Sequence, residues 1–252
     1  MITRTLALVY RDLTVGARVF ASVILSAILS IVMYLVVAGL AYDSLIGYVR
    51  LDSLKVPYIE FLIPGIIAIV VMEVSYVTGT KYWIDRRTGM FEQLVACVCS
   101  KTEYFIALMI TAQLLSLALA TLALAIAYLI YPTMRVALLA RSLVAIPLEA
   151  ALFCSIGMIV ALLVKTSEMY NITLNMIMPL FFISTAFYPL YALPLPLRYI
   201  ALANPLTYVV ETMRNLAYSP SNVLHSSVPL IVLTVATLAI LVSMVRKLEI
   251  TD

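Results

Sequence analysis

Charge is what this 252-residue sequence has least of: 12% of its residues are charged, 64% are hydrophobic, and mean hydropathy is +1.10. A soluble domain is about half apolar and about a quarter charged, so that class is excluded. Histidine occurs once, at His225, and cysteine three times, at Cys97, Cys99 and Cys154. One histidine cannot make a His-Glu-x-x-His site, and a Cys-x-Cys beside it is a poor match to zinc-ligand spacing. No Gly-x-Ser-x-Gly elbow and no Gly-x-x-x-x-Gly-Lys-Ser/Thr loop occur, which removes esterase-type chemistry and nucleotide binding by that device. No basic stripe with interleaved aromatics stands clear of the apolar runs, so nucleic-acid binding has no support.

Long apolar runs are what the sequence does contain. A helix crossing the hydrocarbon core needs roughly 20 such residues. Runs at 19–41, 61–80, 104–130, 136–164, 172–188 and 228–245 therefore predict an all-α membrane protein with six transmembrane helices in a single domain, 1–252. Ahead of them, Arg4, Arg11 and Arg18 recur every seven residues with Leu6, Val9 and Leu13 opposite. That spacing predicts an interfacial amphipathic helix over 1–18. Lys and Arg divide ten to six between alternate loops; by the positive-inside rule both termini are expected in the cytoplasm, and a multi-pass chain in the plasma membrane.

Two connections stand out. The stretch KYWIDRRTGMFEQLVACVCSKTEYF after the second run is the densest charge cluster in the chain. Gly89 can punctuate a turn there, and 90–97 can form a short helix with Phe91, Leu94 and Val95 on one face. Apolar anchors inside a charged rim are the anatomy of a protein interface, so 81–103 reads as a docking loop. Between the fifth and sixth runs, Pro189, Pro194, Pro196 and Pro205 break 189–227 into short pieces. External re-entrant helices suit it, provided their backbone is buried in protein or faces water.

Acids inside apolar runs need partners or water, since a charge at a helix centre costs about 2.5 to 3.5 kcal/mol on insertion scales. Glu73 is either a gate or cation contact, or a structural partner of Thr78. Glu149 is near enough to Arg141 to pair with it, and Glu211 and Arg214, three apart, can share a helical face. Phe181, Phe182, Phe187 and Tyr188, at the end of the fifth run, are candidate residues of a pathway exit. Ala123 and Ala127 could let a second copy approach closely.

The strings FLIPGIIAI, RRTGMFEQL, SKTEYF, MPLFFISTAFYPLYALP and NPLTYVVETMR resemble, in order and across nearly the whole chain, the permease subunits of type 2 ABC exporters. The drug-exporter-like branch is closer than the polysaccharide branch. The resemblance implies that 87–94, including Arg87, Gly89, Met90, Phe91, Glu92 and Leu94, is a coupling helix seated in a separate ABC ATP-binding subunit. ATP and magnesium then belong to that partner, and this chain binds no cofactor or metal of its own. It also implies pairing with a second copy or a second permease, membrane lipid around the spans, and export of a hydrophobic or amphipathic, drug-like or lipid-like substrate. Val98 departs from the pattern, where a proline is usual. Two other readings stand beside it: a proton-coupled secondary transporter using Glu73, and a non-transporting anchor or assembly subunit.

Overall fold

The computed structural model describes residues 2–40, 46–51, 54–97 and 99–250. Asp43, Asp52 and Val98 lie outside the described residues, as does the side chain of Arg18. Helix α1 (Ile2–Met33) runs without a break into a π-helical turn, Tyr34–Leu40. The boundary expected between an interfacial helix and a first span is absent from the backbone. Residues 14–20, TVGARVF, hold no proline, and a lone glycine costs a helix only about 1 kcal/mol.

A β-hairpin follows, β1 (Tyr48–Leu51) and β2 (Leu54–Pro57), antiparallel with Val49 opposite Val56 and Arg50 opposite Lys55. The sequence reading treats this charged stretch as loop. Its signal is a period of two: Val49 and Val56 are buried while Arg50 and Lys55 are exposed.

Helix α2 (Tyr58–Arg87) is the axis of the fold and is buried along nearly its whole length. The remaining helices are α3 (Met90–Cys97), α4 (Lys101–Ile130), α5 (Val136–Leu139), α6 (Ile146–Leu163), α7 (Ser167–Asn175), α8 (Ile177–Ile183), α9 (Leu195–Ala203), α10 (Pro205–Tyr218) and α11 (Val223–Ile250). A 3-10 stretch, Ala140–Ala145, joins α5 to α6. Helices α6 and α4 flank α2. The α2–α6 crossing is set by glycine: a Cβ on Gly79 would lie 2.3 Å from the Cys154 carbonyl, and one on Gly157 2.4 Å from that of Tyr76. Small residues of this kind are what lets membrane helices meet backbone to backbone. Hydroxyl pairs add to the packing, with Ser75 against Ser116 at 2.8 Å and Ser155 donating to Thr237 at 2.9 Å.

Among the described residues, four helical stretches are long and apolar enough to cross a membrane: Tyr58–Arg87, Lys101–Ile130, Val136–Leu163 and Pro220–Leu248. They answer to the second, third, fourth and sixth predicted runs. In the first run the described residues supply only a shorter apolar stretch, Ile28–Val37. The fifth differs in kind, because 172–188 is not one helix. Helix α7 ends at Asn175 and α8 starts at Ile177. Pro179 has no amide to donate and its ring crowds the carbonyl four residues back, that of Asn175. Ala123 and Ala127 are buried in the chain's own core, so they are not offered to a second copy.

Candidate functional site

The two ends of α2 carry the organised polar structure of the molecule. At the docking-loop end, α2 stops when Thr88 N–H donates to the Ile84 carbonyl at 3.0 Å and Gly89 N–H to that of Arg86 at 3.2 Å. Gly89 has φ +72°, the left-handed region where a side chain is strained. The chain then turns back into α3. Phe91 enters a cage of Tyr82, Tyr104 and Phe105, with ring centroids 5.0, 5.1 and 6.4 Å away. Leu94 and Val95 pack on the same cluster.

The apolar face of α3, read from sequence as an offer to a partner, is therefore used inside the chain. Met90, Glu92 and Gln93 point outward and are exposed, as is Arg87, while Gly89 and Leu94 are half-buried. The Ser-Lys-Thr-Glu segment starts α4 with a capping box: Glu103 N–H donates to Ser100 Oγ at 3.2 Å, and Ser100 N–H to Glu103 Oε2 at 3.0 Å. Two orphan donors of the helix start are satisfied reciprocally.

An ion network ties α1 to this end. Tyr104 Oη donates to Asp85 Oδ2 at 2.7 Å, and Arg11 donates to Asp85 at 3.2 Å and to Asp12 at 2.6 Å. Lys81 Nζ completes the set on Asp12. Burial opposes the Arg11 charge, but Asp12 and Asp85 outweigh it and hold the guanidinium above its ordinary value. Nearby, Trp83 stacks on Tyr170 of α7 with centroids 4.3 Å apart, and Arg87 lies over the Trp83 ring at 5.2 Å. Glu168, on the first turn of α7, is held below the usual carboxylate range by its own amide and the Thr166 hydroxyl, with Arg87 adding to the effect.

The far end of α2 is built on carbonyls. Pro64 has no amide, which frees the Glu60 carbonyl four residues back; Tyr218 Oη donates to it at 3.2 Å. The Glu60 carboxylate takes Arg135 through three donors, its guanidinium at 2.9 and 2.7 Å and its backbone N–H at 3.1 Å. Beside it Arg214, 1% exposed, donates to the carbonyls of Phe61 (3.2 Å), Thr185 (2.7 Å) and Ala186 (2.8 Å). Its guanidinium lies 3.5 Å over the Phe61 ring. Tyr58 Oη donates to the Phe187 carbonyl at 3.1 Å, and Asn204 Nδ2 to that of Leu180 at 2.7 Å.

Helix α8 and the irregular backbone after it would otherwise present bare carbonyls in the protein interior. Tyr58 supplies the donor to Phe187, and the string NPLTYVVETMR those to Leu180, Thr185 and Ala186. Its Asn204 also caps α10 by accepting from Leu206 N–H at 3.0 Å, with Pro205 in the first helical position, where no amide is needed. The expected Glu211–Arg214 pair is present at 3.4 Å and is the minor part of what Arg214 does. Sequence reasoning passed over Asn204, Tyr58 and Tyr218; a proline in a helix start, which orphans a carbonyl, was the available signal.

The pathway candidates divide. Phe181 and Phe187 are buried, whereas Phe182 and Tyr188 are exposed. Phe182 stacks on Phe187 with centroids 6.1 Å apart, and Phe187 meets Tyr34 of the π-helical turn at 5.5 Å. Glu73 is half-buried on α2. The Thr78 hydroxyl donates to the Val74 carbonyl, not to Glu73. Glu149 does not pair with Arg141: both its oxygens are buried without a partner among the described residues, while Arg141 is exposed on the 3-10 stretch. A cavity of about 290 Å³ between α2, α6, α7 and α8 is lined by Met72, Tyr76, Phe153, Thr173, Met176 and Leu180, among others. None of the predicted pathway residues lines it.

A bundle of apolar helices around a buried axis, with a short helix hung beneath one end, defines the class as a multi-pass membrane protein. Over residues 1–218 the sequence matches the ABC-2 type transporter family, and the chain belongs to that family. It is also 26% identical over 212 residues to "Putative transport permease ycf38" of Cyanophora paradoxa, covering 81% of this chain and 70% of that one. The chain is thus a transport permease subunit, and membership implies pairing with an ATP-binding subunit.

Proposed function

We propose that this chain is the permease of an ATP-driven exporter, in which α3 transmits the closure of ATP-binding subunits to the membrane helices. The observation that carries the reading is the division of α3 into two faces. Its inner face is locked through Phe91 to α2 and α4, and its outer face leaves Met90, Glu92 and Gln93 free for a partner. A push on α3 is then delivered to α2 and α4 together, and through Asp85 and Arg11 to α1. Such a unit can bias the bundle between two states when the partner binds one of them better. ATP and magnesium sit on that partner.

An apolar cavity and the aromatic group of Tyr34, Phe182 and Phe187 favour a hydrophobic or amphipathic cargo, drug-like or lipid-like. Exposed Leu25, Leu29 and Met33 of α1, with Ile172, Met176 and Phe182 of α7 and α8, give an apolar face for a second permease copy. In this reading the chain sits in the plasma membrane with both termini cytoplasmic.

Co-purification from the native membrane tests the reading. A stoichiometric ATP-binding subunit is expected, with ATPase activity stimulated by the permease and stimulation lost in Glu92→Ala at unchanged melting temperature. Recovery of the chain without any nucleotide-binding protein, together with transport that needs Glu73 and a proton gradient, would overturn it in favour of a secondary transporter.

A further inference from the structure

A second groove lies away from the pathway candidates, between the docking-loop halves of α4 and α11. It has a volume of about 490 Å³, with walls that include Phe105, Ile106, Met109, Leu241 and Val242, and the Arg246 guanidinium stands at its end. That volume falls within the roughly 300 to 1,000 Å³ of small-molecule sites. Arg246 is exposed and makes no hydrogen bond or ion pair among the described residues. Below the groove, Lys101 Nζ donates to the Leu248 carbonyl at 2.7 Å and ties the two helices together.

We propose that this groove binds one anionic phospholipid, with an acyl chain along its apolar wall and its phosphate on Arg246. The outward faces of the same helices expose Leu114 and Leu117 on α4, and Ile231, Val232 and Val235 on α11. An occupant therefore comes from hydrocarbon surroundings and not from water. A long cationic side chain at the end of a spanning helix extends to the headgroup layer, which puts the charge of Arg246 at the level of lipid phosphates. An amphiphile with one negative head and a long apolar tail complements both features at once. A zwitterionic lipid would bring its own cation to Arg246 and lose part of the attraction. The proposal uses the family assignment only to place this face in a bilayer and does not depend on transport.

Native mass spectrometry of the purified chain, after exchange through nanodiscs of phosphatidylcholine doped with phosphatidylglycerol, tests it. The wild type is expected to retain phosphatidylglycerol over phosphatidylcholine by about fivefold, since one basic residue near an anionic surface contributes about 1 kcal/mol. Arg246→Gln should abolish that preference, whereas Arg141→Gln, which removes an exposed cation elsewhere, should keep it. Ile106→Trp or Val242→Trp, each filling the groove from one wall, should lose both lipids, with melting temperatures in lipid-free detergent confirming that each variant is folded. Equal retention of the two lipids by the wild type, equal losses in the two arginine variants, or retained lipid in a folded groove-filled variant would overturn it. Lipid is supplied to both leaflets, so failure here leaves the transport reading untouched.

Discussion

The two ends of α2 solve opposite problems with different chemistry. At the docking-loop end, side chains hold side chains: Asp12, Asp85, Arg11, Lys81 and Tyr104 pair with one another around an aromatic cage. At the far end, beside the Glu60–Arg135 pair, side chains hold backbone, with Arg214, Asn204, Tyr58 and Tyr218 all donating to carbonyls. The Asp12 side chain is 2% exposed and that of Asp85 10%, so each carboxylate depends on the cations and the hydroxyl around it. A buried carbonyl has no substitute donor. The comparison teaches that the loop end is held by pairing between side chains, of which Arg11 is partly open to water, and the far end by donors to buried carbonyls around the break after α8.

Arg214→Leu should break the comparison most severely. Two or three buried carbonyls lose their donor, at about 1 to 3 kcal/mol each, and the expected result is little monodisperse protein in detergent by fluorescence-detected size exclusion. Arg214→Lys should rescue poorly, because a single ammonium cannot reproduce the flat fork that reaches three acceptors. Gly65→Ala comes next. Its Cβ would sit 2.4 Å from the Ala186 carbonyl, and overpacking of this kind costs about 1 to 3 kcal/mol, read as a lower melting temperature.

At the loop end the effects should be smaller. Asp85→Asn keeps the shape of the Tyr104 contact and weakens the one to Arg11, which at 21% side-chain exposure can turn to water. A double-mutant cycle with Arg11→Ala should return a coupling of about 0.5 kcal/mol or slightly more, and a value near that expected at Arg214 would erase the distinction between the ends. Gly89→Ala should be milder than Gly65→Ala. No atom lies within 4 Å of the added Cβ, so only the left-handed backbone is penalised, by about 1 to 2 kcal/mol, and part of that is relieved by refolding the turn. The larger loss in Gly65→Ala than in Gly89→Ala, measured side by side, is the sharpest test of the contrast.

Much of this was legible in the sequence, for reasons that differ by element. The apolar runs at 61–80, 104–130, 136–164 and 228–245 became long helices because hydropathy over twenty residues needs no knowledge of neighbours. The helix at 90–97 and the two short helices within 189–227 followed from glycine and proline, which act through local backbone geometry. The break at Met176 was legible too, in Pro179, but was masked by the apolar run around it. The hairpin at 48–57 was missed because Arg50 and Lys55 look like loop, and only alternation with Val49 and Val56 marks a strand.

The sequence by itself determined that this is a helical membrane protein of the transport permease kind, and which loop carries the charge. The tertiary structure alone decided that Phe91 is an internal anchor, that Ala123 and Ala127 face the chain's own core, and that Glu149 has no ion partner among the described residues. It also decided that Arg214 serves three backbone carbonyls more than it serves Glu211. The reason is physical: hydropathy and backbone preference are properties of neighbours in sequence. Which way a side chain points, and which distant carbonyl needs its proton, are fixed only when helices far apart in the chain pack together.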